Sequence, residues 1–152
     1  MKFTKMQGCG NDYVYVNGMA EKVENKAQVV PALSDRHFGI GGDGIILIKR
    51  GKSADFEMEM YNADGSRSQM CGNGIRCVAK YVYDAGYTKG REFSIESMGA
   101  VKHIHITSGN PGDKICRARV DMGKPILEAA KIPGNVGMCA SGADADLPSE
   151  TH

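Results

Sequence analysis

In the segment SQMCGNGIRC, residues 68–77, a cysteine stands directly before Gly-Asn-Gly, where a helical pattern begins. A packing cysteine needs no such setting. At a helix mouth, free backbone N–H groups and the positive end of the macrodipole favour a thiolate. Gly72 and Gly74 remove side-chain bulk, so a small ligand can approach the main chain closely. The N–H groups of Gly72, Asn73 and Gly74 then form a seat for a small anion such as a carboxylate. One segment therefore offers a base or nucleophile, Cys71, and an anion cradle within reach of the same ligand. An ordinary cysteine in a glycine-rich cap is the alternative that the residues alone leave open.

Other groupings offer chemistry on paper and lose it in context. Gly39-Ile-Gly-Gly-Asp-Gly44 matches the dinucleotide pattern G-x-G-x-x-G, with Asp64 near the expected distance beyond. That fingerprint must follow a strand and open a helix, because the helix N-terminus holds the pyrophosphate. Here it follows a helix and opens the apolar run IILIK, so it is expected to be a helix-to-strand turn that binds no nucleotide. His103 and His105 form H-x-H in AVKHIHIT; Ile104 and Ile106 should face the core and both histidines the opposite side. No third ligand of suitable type sits at short spacing, so no metal site is expected there. Cys116 falls in register with Ala118, Val120 and Met122 and reads as a core residue, as does Cys77 on its helix flank. Cys71 and Cys77 should not bridge. Six residues of helical rise span about 9 Å, beyond the roughly 7 Å limit between the Cα atoms of a disulfide.

The elements that must position Cys71 follow from hydrophobic periodicity. FTKM and YVYVNG read as strands separated by the loop QGCGND. NKAQVVPALSDRHFG reads as a helix with Pro31 near its first turn and Gly39 as its stop. GIILIK is a short apolar strand. DFEMEMYNADG alternates, with Phe56, Met58 and Met60 on one face and Glu57, Glu59 and Tyr61 on the other, and ends in the turn NADG. A helix follows Cys71 from about Asn73 to Ala85, with Ile75, Val78, Ala79 and Val82 as its apolar stripe and Gly86 closing it. REFSIES, AVKHIHIT and KICRARVDMG read as further strands. The order is mostly strand with two helices and is not a regular βαβ series, which predicts an α+β fold. From about residue 125 the periodicity fades.

Composition narrows the function class. The chain of 152 residues suits one ordinary domain, and 19 Lys plus Arg against 18 Asp plus Glu leave a net charge of +1. That balance supplies no electrostatic reason to expect nucleic acid or an anionic membrane as partner. No apolar run approaches the ~20 residues of a membrane span, and the opening MKFTKMQGCGND lacks a secretion signal. The five cysteines form no C-x-x-C pair, so neither a disulfide scaffold nor a standard zinc clamp is expected. A cytoplasmic protein with reduced thiols is the expectation.

MCGNGIRC, with FTKMQGCGNDYVYV near the start, RHFGIGGDGIILI and MYNADGS, resembles the diaminopimelate epimerase family in motif, order and spacing, over roughly residues 1–135. The resemblance implies a cofactor-independent racemase or epimerase that inverts the α-carbon of LL-diaminopimelate to the meso form, towards lysine and peptidoglycan. It implies a domain of mixed and antiparallel strands wrapped around a central helix, two such domains flanking the substrate, and a homodimeric parent. Cys71 matches one of the family's two catalytic cysteines. Gly72 and Asn73 match the helix-mouth groups that hold the α-carboxylate or α-amino end, while Asn11 and Asn62 match side chains that contact substrate; Asn11, Asn62 and Asn73 are expected to converge near Cys71. Gly44 departs from members that carry a glutamine there. The family's second cysteine, in a motif resembling CGTG, and its Glu-Arg pair have no match, and Cys139 in MCASG comes too early to replace them. The chain is therefore expected to comprise a first domain, residues 1–116, and the opening of a second, residues 117–152, and to be inactive alone. A related racemase acting on another amino acid and a carboxylate-binding fragment without catalysis are the other two classes.

Overall fold

A computed structural model of the chain describes residues 1–124 and residue 127. It divides into two compact units, Met1–Met122 and Gly123–His152. Of the second unit only Gly123, Lys124 and Leu127 are described, so Cys139 and the fading pattern after residue 125 lie outside the described residues.

The first unit runs β1 (Thr4–Gly8), β2 (Asn11–Asn17), α1 (Lys26–Ser34), β3 (Gly44–Arg50), β4 (Phe56–Asn62), β5 (Arg67–Ser68), α2 (Gly72–Asp84), β6 (Glu92–Ser97), β7 (Ala100–Ser108) and β8 (Arg117–Val120). The strands form one sheet in the order β1-β2-β3-β4-β6-β7-β8, with β5 on β4. The fold is α+β, with mixed pairing. Two crossovers make it so: α1 joins the parallel pair β2/β3 and α2 joins the parallel pair β4/β6, while the other ladders are antiparallel.

Helix α2 sits inside the curl of this sheet and touches both edge strands, β1 and β8, as well as β2 and β7. Its stripe Ile75, Val78, Ala79 and Val82 is wholly buried, and Cys77 is 7% exposed. Tyr13, Tyr15, Ile46, Ile48, Phe56, Met58, Met60, Ile95, Ile104 and Ile106 close around it. Cys116, Ala118 and Val120 pack against this core from β8 and the residue before it. Gly86 ends α2: its N–H donates to Tyr83 O (3.1 Å) and that of Tyr87 to Val82 O (2.9 Å), the paired bonds of a Schellman cap.

Helix α1 covers the outer face of β2 and β3, where Val14, Val16, Val30, Ile45 and Leu47 make a second, smaller core. This double cover explains why GIILIK is apolar throughout. It also buries Glu59, on the face of β4 expected to be polar, to 3% exposure. Lys26, Lys49 and the Tyr61 hydroxyl close on its carboxylate.

Three elements differ from the sequence reading. The loop QGCGND shrinks to the two-residue turn Cys9-Gly10, both with positive φ (54° and 85°), so the ladder continues to the pair Gly8–Asn11. Helix α1 begins at Lys26 and Pro31 stands inside it rather than in its first turn. It also stops at Ser34, five residues before Gly39, because the Asp35 carboxylate takes the N–H groups of His37 and Phe38 (both 2.7 Å) and starts a turn. No helix among the described residues is long and apolar enough to cross a membrane.

Candidate active site

Strand directions collect the chemistry at one end of the sheet. β1 ends where β2 begins, β3 starts beside the start of β2, and β4 runs back to end opposite Gly44 at Asn62. Strand β5 and Met70 then deliver the N-terminus of α2 to the same end. Gly8 packs so closely on this helix mouth that a Cβ there would lie 3.1 Å from Asn73 O.

Cys71 is the N-cap of α2, with extended backbone (φ −134°, ψ 113°). Its sulfur accepts the Gly74 N–H at 3.2 Å, a task usually given to a serine, threonine or aspartate oxygen. The anion seat is therefore smaller than expected: Gly74 is committed to the sulfur, while the N–H groups of Gly72 and Asn73 have no partner among the described residues. The Asn73 side chain is held by Arg76: its Oδ1 accepts from one guanidinium nitrogen, and the other donates to Gly72 O at 2.9 Å. Cation, macrodipole and free N–H groups together favour a carboxylate at this mouth.

Asn11 meets Cys71 directly. The thiol donates to Asn11 Oδ1 at 3.0 Å, and Asn11 Nδ2 donates to Asp43 Oδ2 at 2.6 Å. Asn62 reaches the same end of the sheet but not the sulfur: its Nδ2 donates to Ser66 Oγ at 3.0 Å inside its own turn. Its link to the site runs through the neighbouring Ala63 N–H, which donates to Asp43 O at 3.0 Å.

The G-I-G-G-D-G loop caps a helix C-terminus, the opposite of a pyrophosphate site. The N–H groups of Ile40 and Gly41 donate to Leu33 O and that of Gly42 to Ser34 O, at 2.9–3.0 Å. A Cβ at Gly39 would overlap the Ala32 carbonyl and stand 2.8 Å from that of Leu33. Gly44, with φ 151°, leaves no room for a larger residue either: a Cβ would overlap the Tyr61 carbonyl oxygen.

Six residues unassigned by sequence reasoning belong to this site: Asp43, Arg36, Asp12, Lys5, Tyr13 and Arg76. Asp43 holds Asn11. Arg36 holds Asp43 at 2.9 Å and Asp12 at 2.7 and 3.2 Å, and Lys5 adds a 2.8 Å ion pair to Asp12. Hydrogen bonds from Arg36 first, then Lys5, keep the Asp12 carboxyl well below the usual range despite its desolvation. Burial pushes the Tyr13 phenol up, against an opposing hydrogen bond with Asn11. Arg76 flanks the helix mouth and the exposed Cys9, its Nη2 3.5 Å from that sulfur. The one available signal was an acidic residue enclosed by glycines in a loop otherwise needed only for a turn.

Burial raises the thiols of Cys77, in the core, and of Cys116, half-buried against it. His105 Nδ1 lies 3.5 Å from Glu92 Oε1 across the β6/β7 ladder, and His103 is exposed. A cavity of about 670 Å³ that these histidines line with Phe93, Ile104 and Arg119 does not include Cys71.

The same curled sheet occurs in solved structures of low sequence similarity. Methylitaconate-delta-isomerase matches with TM-score 0.60 and 13% identity over 72% of this chain and 35% of that one. A Bacillus anthracis phenazine biosynthesis protein of the PhzF family matches with TM-score 0.54 and 15% identity, over 70% and 35%. These likenesses define the architecture. The family model described as diaminopimelate epimerase matches residues 3–128, and the chain belongs to that family. The diaminopimelate epimerase of Agathobacter rectalis is 55% identical over 88% of this chain and 46% of its own length. Those of Methanococcus maripaludis and Acetivibrio thermocellus are each 50% identical, over 88% and 89% of this chain and 47% and 48% of their own lengths. The chain spans about half the length of the curated relatives it matches.

Proposed function

We propose that this chain carries the first of two acid–base thiols of a diaminopimelate epimerase, and that Cys71 is that thiol. The observation that supports the reading most is the helix mouth: a sulfur capping α2, with two unpartnered N–H groups beside it and Asn11 against it. An amino-acid α-proton is a very weak acid. Inversion needs one group to remove it from one face and another to return a proton to the opposite face. As thiolate, Cys71 takes the α-proton on its face; as thiol, it gives one back. The substrate carboxylate would rest on the Gly72 and Asn73 N–H groups, next to the carbon where negative charge develops. Asn11 would orient the amino-acid end, and Asn62 would join once substrate draws it from Ser66. Two thiols suffice for this chemistry, so the reading invokes no cofactor.

The opposite base belongs, on this reading, to the half of the relatives that this chain does not span. Residues 1–116 would form the N-terminal epimerase domain, with β8 (Arg117–Val120) completing its sheet as the chain leads into the second. The full-length parent would be a cytoplasmic homodimer acting on a small amino-acid substrate, in lysine and peptidoglycan precursor synthesis. The test is a chimera in which residues 1–128 replace the matching half of the Agathobacter rectalis relative. It should interconvert LL- and meso-diaminopimelate and lose at least about a thousandfold in kcat on Cys71→Ala. A folded, inactive chimera, or one indifferent to Cys71→Ala, would refute the assignment.

A further inference from the structure

We propose that Asp43 is a positioning residue for Cys71, deciding which atom of the Asn11 amide faces the sulfur. Its importance to turnover rests on the proposed role of Cys71; its geometry rests on hydrogen-bond chemistry alone.

A carboxylate only accepts hydrogen bonds. Asp43 Oδ2 lies 2.6 Å from Asn11 Nδ2 and 3.1 Å from the Asp12 N–H, and Oδ1 lies 2.9 Å from Arg36 Nη2. The amide nitrogen of Asn11 must therefore face Asp43, which turns Oδ1 towards Cys71. An amide oxygen can only accept as well, so Cys71 meets it with its S–H, while the sulfur's lone pairs receive the Gly74 N–H. A reversed amide would offer the sulfur an N–H instead and favour the thiolate. The anchored Asn11 oxygen instead gives the S–H an acceptor, while the Gly74 N–H gives the sulfur a donor. A group that must both give and take a proton needs that balance.

Asp43 is itself fixed from three sides. Its N–H donates to Asp12 O at 2.7 Å, its carbonyl accepts from Ala63, and Arg36 ties it to Asp12. The glycine-rich loop, whose N–H groups cap the end of α1, brings this carboxylate to the sheet end. The other titratable and charged groups around Cys71 are Tyr13 and Tyr15 from β2 and Cys77 and Arg76 from α2.

The test is the pH profile of iodoacetamide alkylation at Cys71, read by peptide mapping of the 152-residue chain. Asp43→Ala frees the amide to turn, and Cys71 labelling near pH 7 should rise about tenfold with the profile displaced to lower pH. Asp43→Asn removes the same negative charge; with its NH2 in place of Oδ1 it releases Arg36, which retains Asp12, and its oxygen still accepts from Asn11 and the Asp12 N–H. It should retain the wild-type profile within about twofold, separating amide orientation from charge. Thermal melts accompany both. A lowered Tm with an unmoved profile in Asp43→Ala, or equal displacement in both variants, would overturn the proposal. Should Asp43→Ala not fold, NMR of the wild-type chain reads the same orientation: the Asn11 side-chain NH2 should be protected from solvent exchange, and rapid exchange would overturn it. These readings need no turnover, so an inactive chimera would leave them intact, and their failure would leave the role of Cys71 to its own test.

Discussion

At the residue scale, the four cysteines of the described chain differ in access and in surroundings. Cys9 is exposed at a hairpin tip, Cys71 is half-buried at a helix mouth, Cys116 is half-buried against the core and Cys77 lies inside it. Burial holds the thiols of Cys77 and Cys116 above their ordinary value. Alkylation at pH 7 should therefore map to Cys71 and Cys9 well before the other two, and faster labelling of Cys77 or Cys116 would contradict the packing described. Gly44 is the second residue that decides something. A larger residue at this point needs a different local backbone, since any Cβ here overlaps the Tyr61 carbonyl. Gly44→Gln should cost at least about 2 kcal/mol, through positive φ and overpacking together. Thermal denaturation checks it; an unchanged Tm would show that the β3/β4 ladder gives way more easily than its register suggests.

At the scale of elements, helix α1 turns an ordinary alternating strand into one buried on both faces. Glu59 is the consequence. Burial alone would raise its carboxyl, but hydrogen bonds from Lys49, Tyr61 and Lys26 outweigh it and bring it from 4.5 down to about 2. Its folded value lies below its unfolded one. The stabilisation is thus complete above about pH 4.5 and is lost as pH falls towards 2. A shift of this size corresponds to about 3 kcal/mol. Glu59→Gln should be less stable than wild type by that order at pH 7, and the deficit should shrink through the acid window; a deficit independent of pH would contradict the ion cluster. The same strand shows what was legible in the sequence. Phe56, Met58 and Met60 point to the core as their period of two requires, because one face of a strand is set locally. The burial of Glu59 was not legible, because its cover comes from a helix more than twenty residues upstream. The stripe of α2 and its Gly86 stop were readable for the same local reason. The two-residue Cys9-Gly10 turn was not, since a left-handed cysteine has no distinctive signature. Cys71 declared itself through its glycines. Asp43 did not, because its partners Asn11 and Asp12 lie some thirty residues away in sequence.

At the scale of the whole molecule, a sheet curled around α2 brings strand ends from four parts of the chain to a single thiol. On the proposed reading, that arrangement would present one proton-transfer group to one face of a substrate carbon. A second copy of the chain would offer the same groups again, not the ones the opposite face and the distal end of the substrate require. Cys71, Gly72 and Asn73 are half-buried, so water screens part of every electrostatic contact they make. The central claim is that Cys71 is one base of a two-base inversion whose other base this chain does not supply. Incubation of LL- and meso-diaminopimelate with the 152-residue chain in deuterated buffer, followed by mass and chirality analysis, tests it most directly. The account predicts at most slow α-deuteration with retained configuration, abolished by Cys71→Ala, and no useful interconversion of the stereoisomers. Rapid inversion by the chain alone, lost on Cys71→Ala, would place both bases within these residues and contradict the account.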